Sequence, residues 1–385
     1  MSTDIQPAIA TPISDSERAA RRTQLRHRMQ AEHLDAVLIT PGSNMRYFFN
    51  LRWGPTERLV AALITQTDIV FICPKFEDTA LLAVIGHQYQ TAWWEEHEDP
   101  AALVASLAVD DSLARIGVDP QARFGLVDPL IKALGGVSVV DGTPAIAPLR
   151  YRKSDAEIAL LGAAKRLTLN VHQQIFEWLK PGIHASEVIA RIDRLHREGG
   201  ADGGSTFCSV QFGDATSHPH GIPGDPIFNE SDLVLIDTGC LIDGYHSDIT
   251  RTYAYSKQSA QVESHWALEK EAQAQAFAAA HLGAHCEDVD AAARAVLAEA
   301  GLGPDYQLPG LPHRTGHGIG LDIHEGPYLV RGDRTVLEPG MCFSNEPMIV
   351  VPDQYGIRLE DHFYMTDEGP RWFTQPQQDL YQPFG

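Results

Sequence analysis

Apolar residues recur with two different periods along the chain. Strand-length apolar runs come first, "DAVLIT" (35–40), "LVAALIT" (59–65) and "DIVFIC" (68–73), the last two separated by the polar pair Gln66 and Thr67. Helical spacing precedes them over residues 16–33 and returns near residues 76–85, and "RIGVD" and "VSVVDG" read as further strands. Residues 1–15 are polar, contain proline and show no period, which predicts a loose tail. Strands alternating with helices predict a small α/β domain over residues 1–153.

The pattern changes at "PLRYRKSDAEIALLGAAKRL", where a charged linker enters a helix with Ser154 placed to cap it and Glu157 three residues on. Long helical patterns follow over residues 154–179, 185–198, 262–282 and 289–300, around glycine- and proline-punctuated strands such as "DLVLIDTG" and "GMCFSNEPMIVV". Helices covering an antiparallel sheet predict an α+β domain over residues 154–385. No repeat or low-complexity tract interrupts it.

The length of 385 residues, 44% of them hydrophobic, suits two separately buried cores. Lysine plus arginine number 30 against 51 aspartate plus glutamate, a formal net charge of -21. That field repels phosphate backbones and anionic lipid, so neither nucleic acid nor a membrane surface is expected as a partner. Several carboxylates meeting at one place would need cations to neutralise them. The five cysteines show no CxxC pair and read as reduced thiols of a cytoplasmic protein. No apolar signal core or stretch of 18 apolar residues occurs, so neither secretion nor a membrane span is expected.

Four segments of the second domain carry candidate chemistry. In "DLVLIDTGCLIDGYHSDITRTYAY", Asp237 ends an apolar strand and Asp248 opens a threonine-rich one, so a hairpin could bring both carboxylates together; a turn cap and a surface acid would look the same. In "HRTGHGIGLDIHEGP", His313, His317 and His324 surround glycines that allow close backbone approach, which lets an imidazole reach inward; one buried histidine alone would more often be a bonded core residue. "GMCFSNEPMIVV" and "GIRLEDHFYMT" place Glu346 and Glu360 inside strand-like apolar runs, where a charge is costly unless it is paired or bound to metal. Arg358 shares a strand face with Glu360 and could pair with it, but that leaves Glu346 unexplained.

Charge balance makes the set coherent. Asp237, Asp248, Glu346 and Glu360 carry four negative charges, which two divalent cations match, with His317 as a neutral ligand. An oxygen-rich shell with one imidazole favours Mn²⁺, with Co²⁺, Zn²⁺ or Fe²⁺ as alternatives. Two such ions polarise a carbonyl and activate water, which is hydrolytic chemistry. His220 in "SHPHGIPGD", His313 and His324 suit hydrogen bonding to a scissile carbonyl.

In this order and with these flanks, "PHGIPGD", "DTG" followed by "HSDITRT", "GHGIGLDIHE", "NEP" and "GIRLED" resemble the pita-bread metallopeptidases, a family that includes Xaa-Pro dipeptidases (prolidases), Xaa-Pro aminopeptidases, methionine aminopeptidases and creatinases. "LDAVLITPGSNMRYFFN" is similar to the N-terminal domain of the proline-specific members. The resemblance implies a C-terminal pita-bread domain behind a creatinase-like α/β domain. It implies that Asp237 binds one metal, that His317 and Glu346 bind the other, and that Asp248 and Glu360 bridge them. Glu346 would also act as general base, with His220 and His324 holding substrate and His313 and Arg358 orienting it. The implied reaction is hydrolysis of the bond preceding proline, first in Xaa-Pro dipeptides, in a homodimer whose N-terminal domain helps close the partner's site, with Arg52 and Trp53 as candidate lid residues. Alternatives are aminopeptidase action on longer peptides, hydrolysis of a small amide or osmolyte, and a non-catalytic binding scaffold.

Two positions depart from the family pattern. Ile242 stands where many members carry tyrosine, which removes a hydrogen bond behind the metal ligands. Tyr328 stands where some dipeptidases carry arginine, which leaves Arg331, Arg334 and Arg46 as candidates for holding the substrate carboxylate.

Overall fold

A computed structural model describes residues 10–384; of the N-terminal segment read as a loose tail, residues 1–9 lie outside the described residues. Two compact units divide the chain, one of Ile13–Arg150 and one from Tyr151 onward.

The first unit contains α1 (Asp15–Ala31), β1 (Ala36–Ile39), α2 (Ser43–Phe49), β2 (Ala61–Thr65), β3 (Ile69–Pro74), α3 (Asp78–Ile85), β4 (Gln90–Trp94), α4 (Pro100–Asp110), β5 (Arg115–Val118), α5 (Phe124–Leu134), β6 (Ser138–Asp141) and the start of α6 (Thr143–Tyr151). Its six strands form one sheet in the order β4-β3-β2-β1-β5-β6. β1 to β3 run antiparallel in succession, whereas β4, β5 and β6 each join in parallel. The strands read from sequence are β1, β2, β3, β5 and β6, and the first three are buried throughout. β4, "QTAWW", is an edge strand only half buried, so it lacks the apolar run that reveals the others.

The second unit opens with α7 (Asp155–Trp178) and α8 (Ala185–Glu198), followed by β7 (Ser205–Phe212), β8 (Leu233–Ile242), β9 (Tyr245–His246) and β10 (Ile249–Ala254). Then come α9 (Ala260–Ala279), α10 (Cys286–Glu299), β11 (Gly316–Gly318), β12 (Glu325–Leu329), β13 (Cys342–Asn345), β14 (Met348–Val351), β15 (Tyr355–Arg358), β16 (Asp361–Thr366) and β17 (Gly369–Trp372). The predicted capping box is present: Ser154 Oγ accepts from the Glu157 amide while Glu157 accepts from the Ser154 amide. β10-β8-β7 and β12-β11-β13-β16-β17 form two antiparallel sheets, and β14 pairs with β15. The helices bury stripes one turn apart, such as Val262, Trp266, Ala272 and Ala276 of α9, in a core shared with Phe343, Met348, Ile357 and Phe363 of the strands. The predicted α+β class holds. No helix among the described residues is long and apolar enough to cross a membrane, and all five cysteines are free.

Candidate metal centre

β8 and β10 make the hairpin that joins the two aspartates. Asp237 faces Thr250 across the ladder, and Asp248 lies just before β10 begins. The close packing of Ser247 against β8 needs Gly239, because a Cβ there would sit 1.9 Å from the Ser247 carbonyl oxygen. On the other side, β11 carries His317 between β12 and β13. A Cβ on Gly316 would come 2.1 Å from the Ser344 carbonyl oxygen, so glycine is what lets the histidine strand dock here.

Glu346 and Glu360 do not lie inside strands as their apolar flanks suggested. Glu346 falls in the break between β13 and β14, and Glu360 in the break between β15 and β16. At such junctions the side chain is released from the alternation of the ladder and turns toward the site. Arg358 likewise does not pair with Glu360. It donates to Asp237 Oδ2 at 2.6 Å, to Thr250 Oγ1 at 3.0 Å and to the Pro219 carbonyl at 2.9 Å.

The five predicted ligands converge. Ligand atoms of His317, Glu346 and Glu360 lie within 4.8 Å of one another, as do those of Asp237, Asp248 and Glu360, so Glu360 belongs to both triads. Asp248 also groups with His317 and His324. Among the described residues, Asp237 Oδ1, Asp248 Oδ1, Glu360 Oε1 and His317 Nε2 are buried without a hydrogen-bond partner. Buried lone pairs without donors cost free energy unless a cation takes them, so the residues present fit divalent metal. Burial, then the neighbouring acids, pushes the carboxyls of Asp248 and Glu360 well above the usual range. Burial acts the same way on Glu346, but the His317 ring, with Nε2 3.0 Å from Oε1, outweighs it and holds this carboxyl well below the usual range. Burial opposes the charge on Arg358, yet the surrounding carboxylates keep its guanidinium above its ordinary value.

Groups behind the ligands fix their orientation. His317 Nδ1 donates to the Gly318 carbonyl, which turns Nε2 toward the acids. Ser344 Oγ accepts from the His317 amide and donates to Glu346 Oε1. Thr250 Oγ1 donates to Glu360 Oε2 at 2.9 Å. Buried Asp290 of α10 accepts from both the amide and hydroxyl of Thr315, whose carbonyl in turn receives the Glu346 amide. The side-chain amide of Gln273 in α9 donates to the carbonyls of Asn345 and Leu359, the residues just before Glu346 and Glu360. None of these partners stands out by sequence pattern except Thr250, two positions after Asp248.

A cavity of 670 Å³ opens over the carboxylates. All the predicted site residues line it: Asp237, Asp248, His317, Glu346 and Glu360 together with His220, His313, His324 and Arg358. His324 stands edge-on to His317 with ring centres 4.2 Å apart, and burial followed by the His317 charge lowers it to about 4. His313 donates Nδ1 to the Arg314 carbonyl, and burial lowers its pKa. Thr206, Phe207, His246, Arg314 and Ile323 also line the cavity, and sequence reading had missed them. Arg331 and Arg334 are not part of this wall; they are exposed and pair with Asp305 and Glu287. Arg46 lies in α2 of the first unit, and Ile242 is buried at the end of β8. A second cavity of 410 Å³ beside α10 offers no comparable donor set, because its acids Glu287, Asp288, Asp290 and Asp305 already face Arg334, His285, Arg294 and Arg331.

Comparison with known proteins identifies the family. Residues 159–367 match metallopeptidase family M24, and residues 21–152 match the creatinase/prolidase N-terminal domain. The chain is 36% identical over 361 residues to the probable dipeptidase PepE of Mycobacterium tuberculosis, covering 92% of this chain and 94% of that one. The crystal structure of dipeptidase PepE from Mycobacterium ulcerans superposes with a TM-score of 0.88 at 31% identity, covering 96% of this chain and 98% of that one. The Xaa-Pro dipeptidase from Bacillus anthracis superposes with a TM-score of 0.83 at 27% identity, covering 94% and 99%. A converging acid and histidine set, the two-unit architecture and these matches lead to one conclusion: the chain belongs to metallopeptidase family M24 and is a hydrolase of peptides.

Proposed function

We propose that this protein hydrolyses the peptide bond preceding proline in short peptides, Xaa-Pro dipeptides first, using two divalent cations. The observation that carries the reading is the pair of triads sharing Glu360 at the floor of the 670 Å³ cavity, a volume suited to a small-molecule ligand. Asp237 would hold one cation, His317 and Glu346 the other, and Asp248 and Glu360 both. Bound there, the ions supply Lewis acidity and an activated water, and the hard oxygen-rich shell favours Mn²⁺.

The chain's own residues divide the remaining work. Glu346, held ionised beside His317, accepts the proton of the attacking water. His324 is neutral at physiological pH and presents an imidazole N–H to the scissile carbonyl, while neutral His313, its Nδ1 proton given to the Arg314 carbonyl, keeps Nε2 as an acceptor on the same cavity, which His220 also lines. Arg358 orients Asp237 and offsets part of the acid cluster's repulsion. Proline's tertiary amide has no N–H, so the substrate asks for no acceptor at its leaving nitrogen. The assembly we propose is a cytoplasmic homodimer, read by sedimentation velocity.

Purified protein supplied with Mn²⁺ should cleave Ala-Pro faster than Ala-Pro-Ala and leave Ala-Ala essentially untouched. Faster cleavage of Ala-Pro-Ala would make it an aminopeptidase, and no metal-dependent turnover of any of the three would sink the proline reading.

A further inference from the structure

We infer that Arg314, seated on the ring of Tyr328, holds the substrate's free C-terminal carboxylate and so restricts the site to dipeptides. This rests on the proposed peptidase reading and names the group that sets the length of its substrate.

Arg314 and Arg358 are the two arginines lining the cavity, and no lysine lines it. Arg358 is consumed: its donors go to Asp237, Thr250 and the Pro219 carbonyl. Arg314 differs. Its guanidinium carbon lies 4.3 Å from the centre of the Tyr328 ring, and among the described residues no carboxylate pairs with it. Stacking occupies one face of a guanidinium and leaves its N–H edge directed outward, the edge that matches a carboxylate in two parallel hydrogen bonds. The residue adjoins His313 in sequence, and its charge is felt at His324, so it shares the wall assigned to the scissile carbonyl.

The pairing of β11 with β12 explains how the stack arises. His317 faces Tyr328 across the ladder, which brings the tyrosine ring up beside the segment entering β11, where Arg314 lies. Tyr328, the departure from the family pattern, thus serves as the platform for an arginine supplied from the segment that enters β11. In a dipeptide the carboxylate is attached to the Cα next to the leaving nitrogen. In any longer peptide the same position is a neutral amide, which cannot form the ion pair.

The test compares Ala-Pro with Ala-Pro amide in wild type, Arg314→Met and Arg314→Lys. Wild type should favour the free acid by about 100-fold in kcat/KM, the scale of one charge-assisted pair. In Arg314→Met that ratio should fall toward one, mostly through KM, and Arg314→Lys, which keeps charge but not the fork, should fall between. A ratio in Arg314→Met within about threefold of wild type overturns the assignment, and so does an equal loss on both substrates. Calorimetry of proline against prolinamide binding to the Mn²⁺-loaded protein reads the same preference without turnover. If wild type cleaves no proline peptide, the proposed reaction fails, and this binding comparison still decides Arg314: loss of the carboxylate preference in Arg314→Met supports it, and a retained preference refutes it.

Discussion

Gln273 shows how much of a metal site can hang on a residue that touches no metal. Its amide binds the carbonyls preceding Glu346 and Glu360, and Asn345 Nδ2 returns a bond to its backbone carbonyl. Gln273→Leu should therefore weaken Mn²⁺ binding by about 10- to 100-fold, the range for lost outer partners, while the helical circular dichroism is retained. Titration calorimetry checks it, and an unchanged affinity would mean that the two glutamates hold their positions unaided. Glu346 and Glu360 stand out as candidate ligands in the sequence because acids within apolar runs are costly and so attract notice. Gln273 does not, because a glutamine in the alanine-rich α9 looks like any helix former. Arg314 was hidden for another reason: its partner Tyr328 is a neighbour only once β11 and β12 have paired.

At the scale of elements, α9 carries a second polar residue one turn from Gln273. Glu269 is fully buried, both carboxylate oxygens lack a hydrogen-bond partner, and burial pushes its carboxyl well above the usual range. The folded protein therefore keeps a proton that the unfolded chain releases near pH 4.3. It follows that Glu269 carries no ionisation-linked cost at low pH and progressively destabilises the fold as pH rises from about 4.3 toward its folded pKa. Glu269→Gln should be more stable than wild type at neutral pH by about 1–3 kcal/mol, with the difference shrinking toward pH 4. Urea unfolding at several pH values measures this, and a difference independent of pH would contradict it. Helices were readable from period and caps, as the Ser154–Glu157 box of α7 shows. Strand ends were harder: Glu346 and Glu360 sit where the ladder breaks, and an apolar run carries no mark of where pairing stops.

For the whole molecule, every residue lining the candidate site belongs to the unit that begins at Tyr151, while Ile13–Arg150 has a core of its own. A ligand that binds only the folded state stabilises the unit holding its site, by about 2.7 kcal/mol at a hundred times Kd. Scanning calorimetry with and without a chelator should accordingly move the unfolding of the second unit and leave that of the first in place. Coincident shifts of both would show that the two unfold as one. In the sequence, the change from strand-length runs to long helical periods falls at the charged segment before Ser154, three residues past Tyr151, where the second unit begins. The sheet order of the first unit is not visible there, since which strands become neighbours depends on pairings that local pattern does not record.

The sharing of Glu360 between two triads also sets a timetable for assembly. Chains are made from the N-terminus and their domains tend to fold in that order, so the first unit is complete before any ligand exists. Glu360 is the last of the five candidate ligands to be synthesised, and β16, whose pairing with β13 follows directly after it, comes later still. Neither triad that contains Glu360 can close on a nascent chain. Occupation of the two triads that contain Glu360 is thereby deferred until Glu360 and β16 have been made.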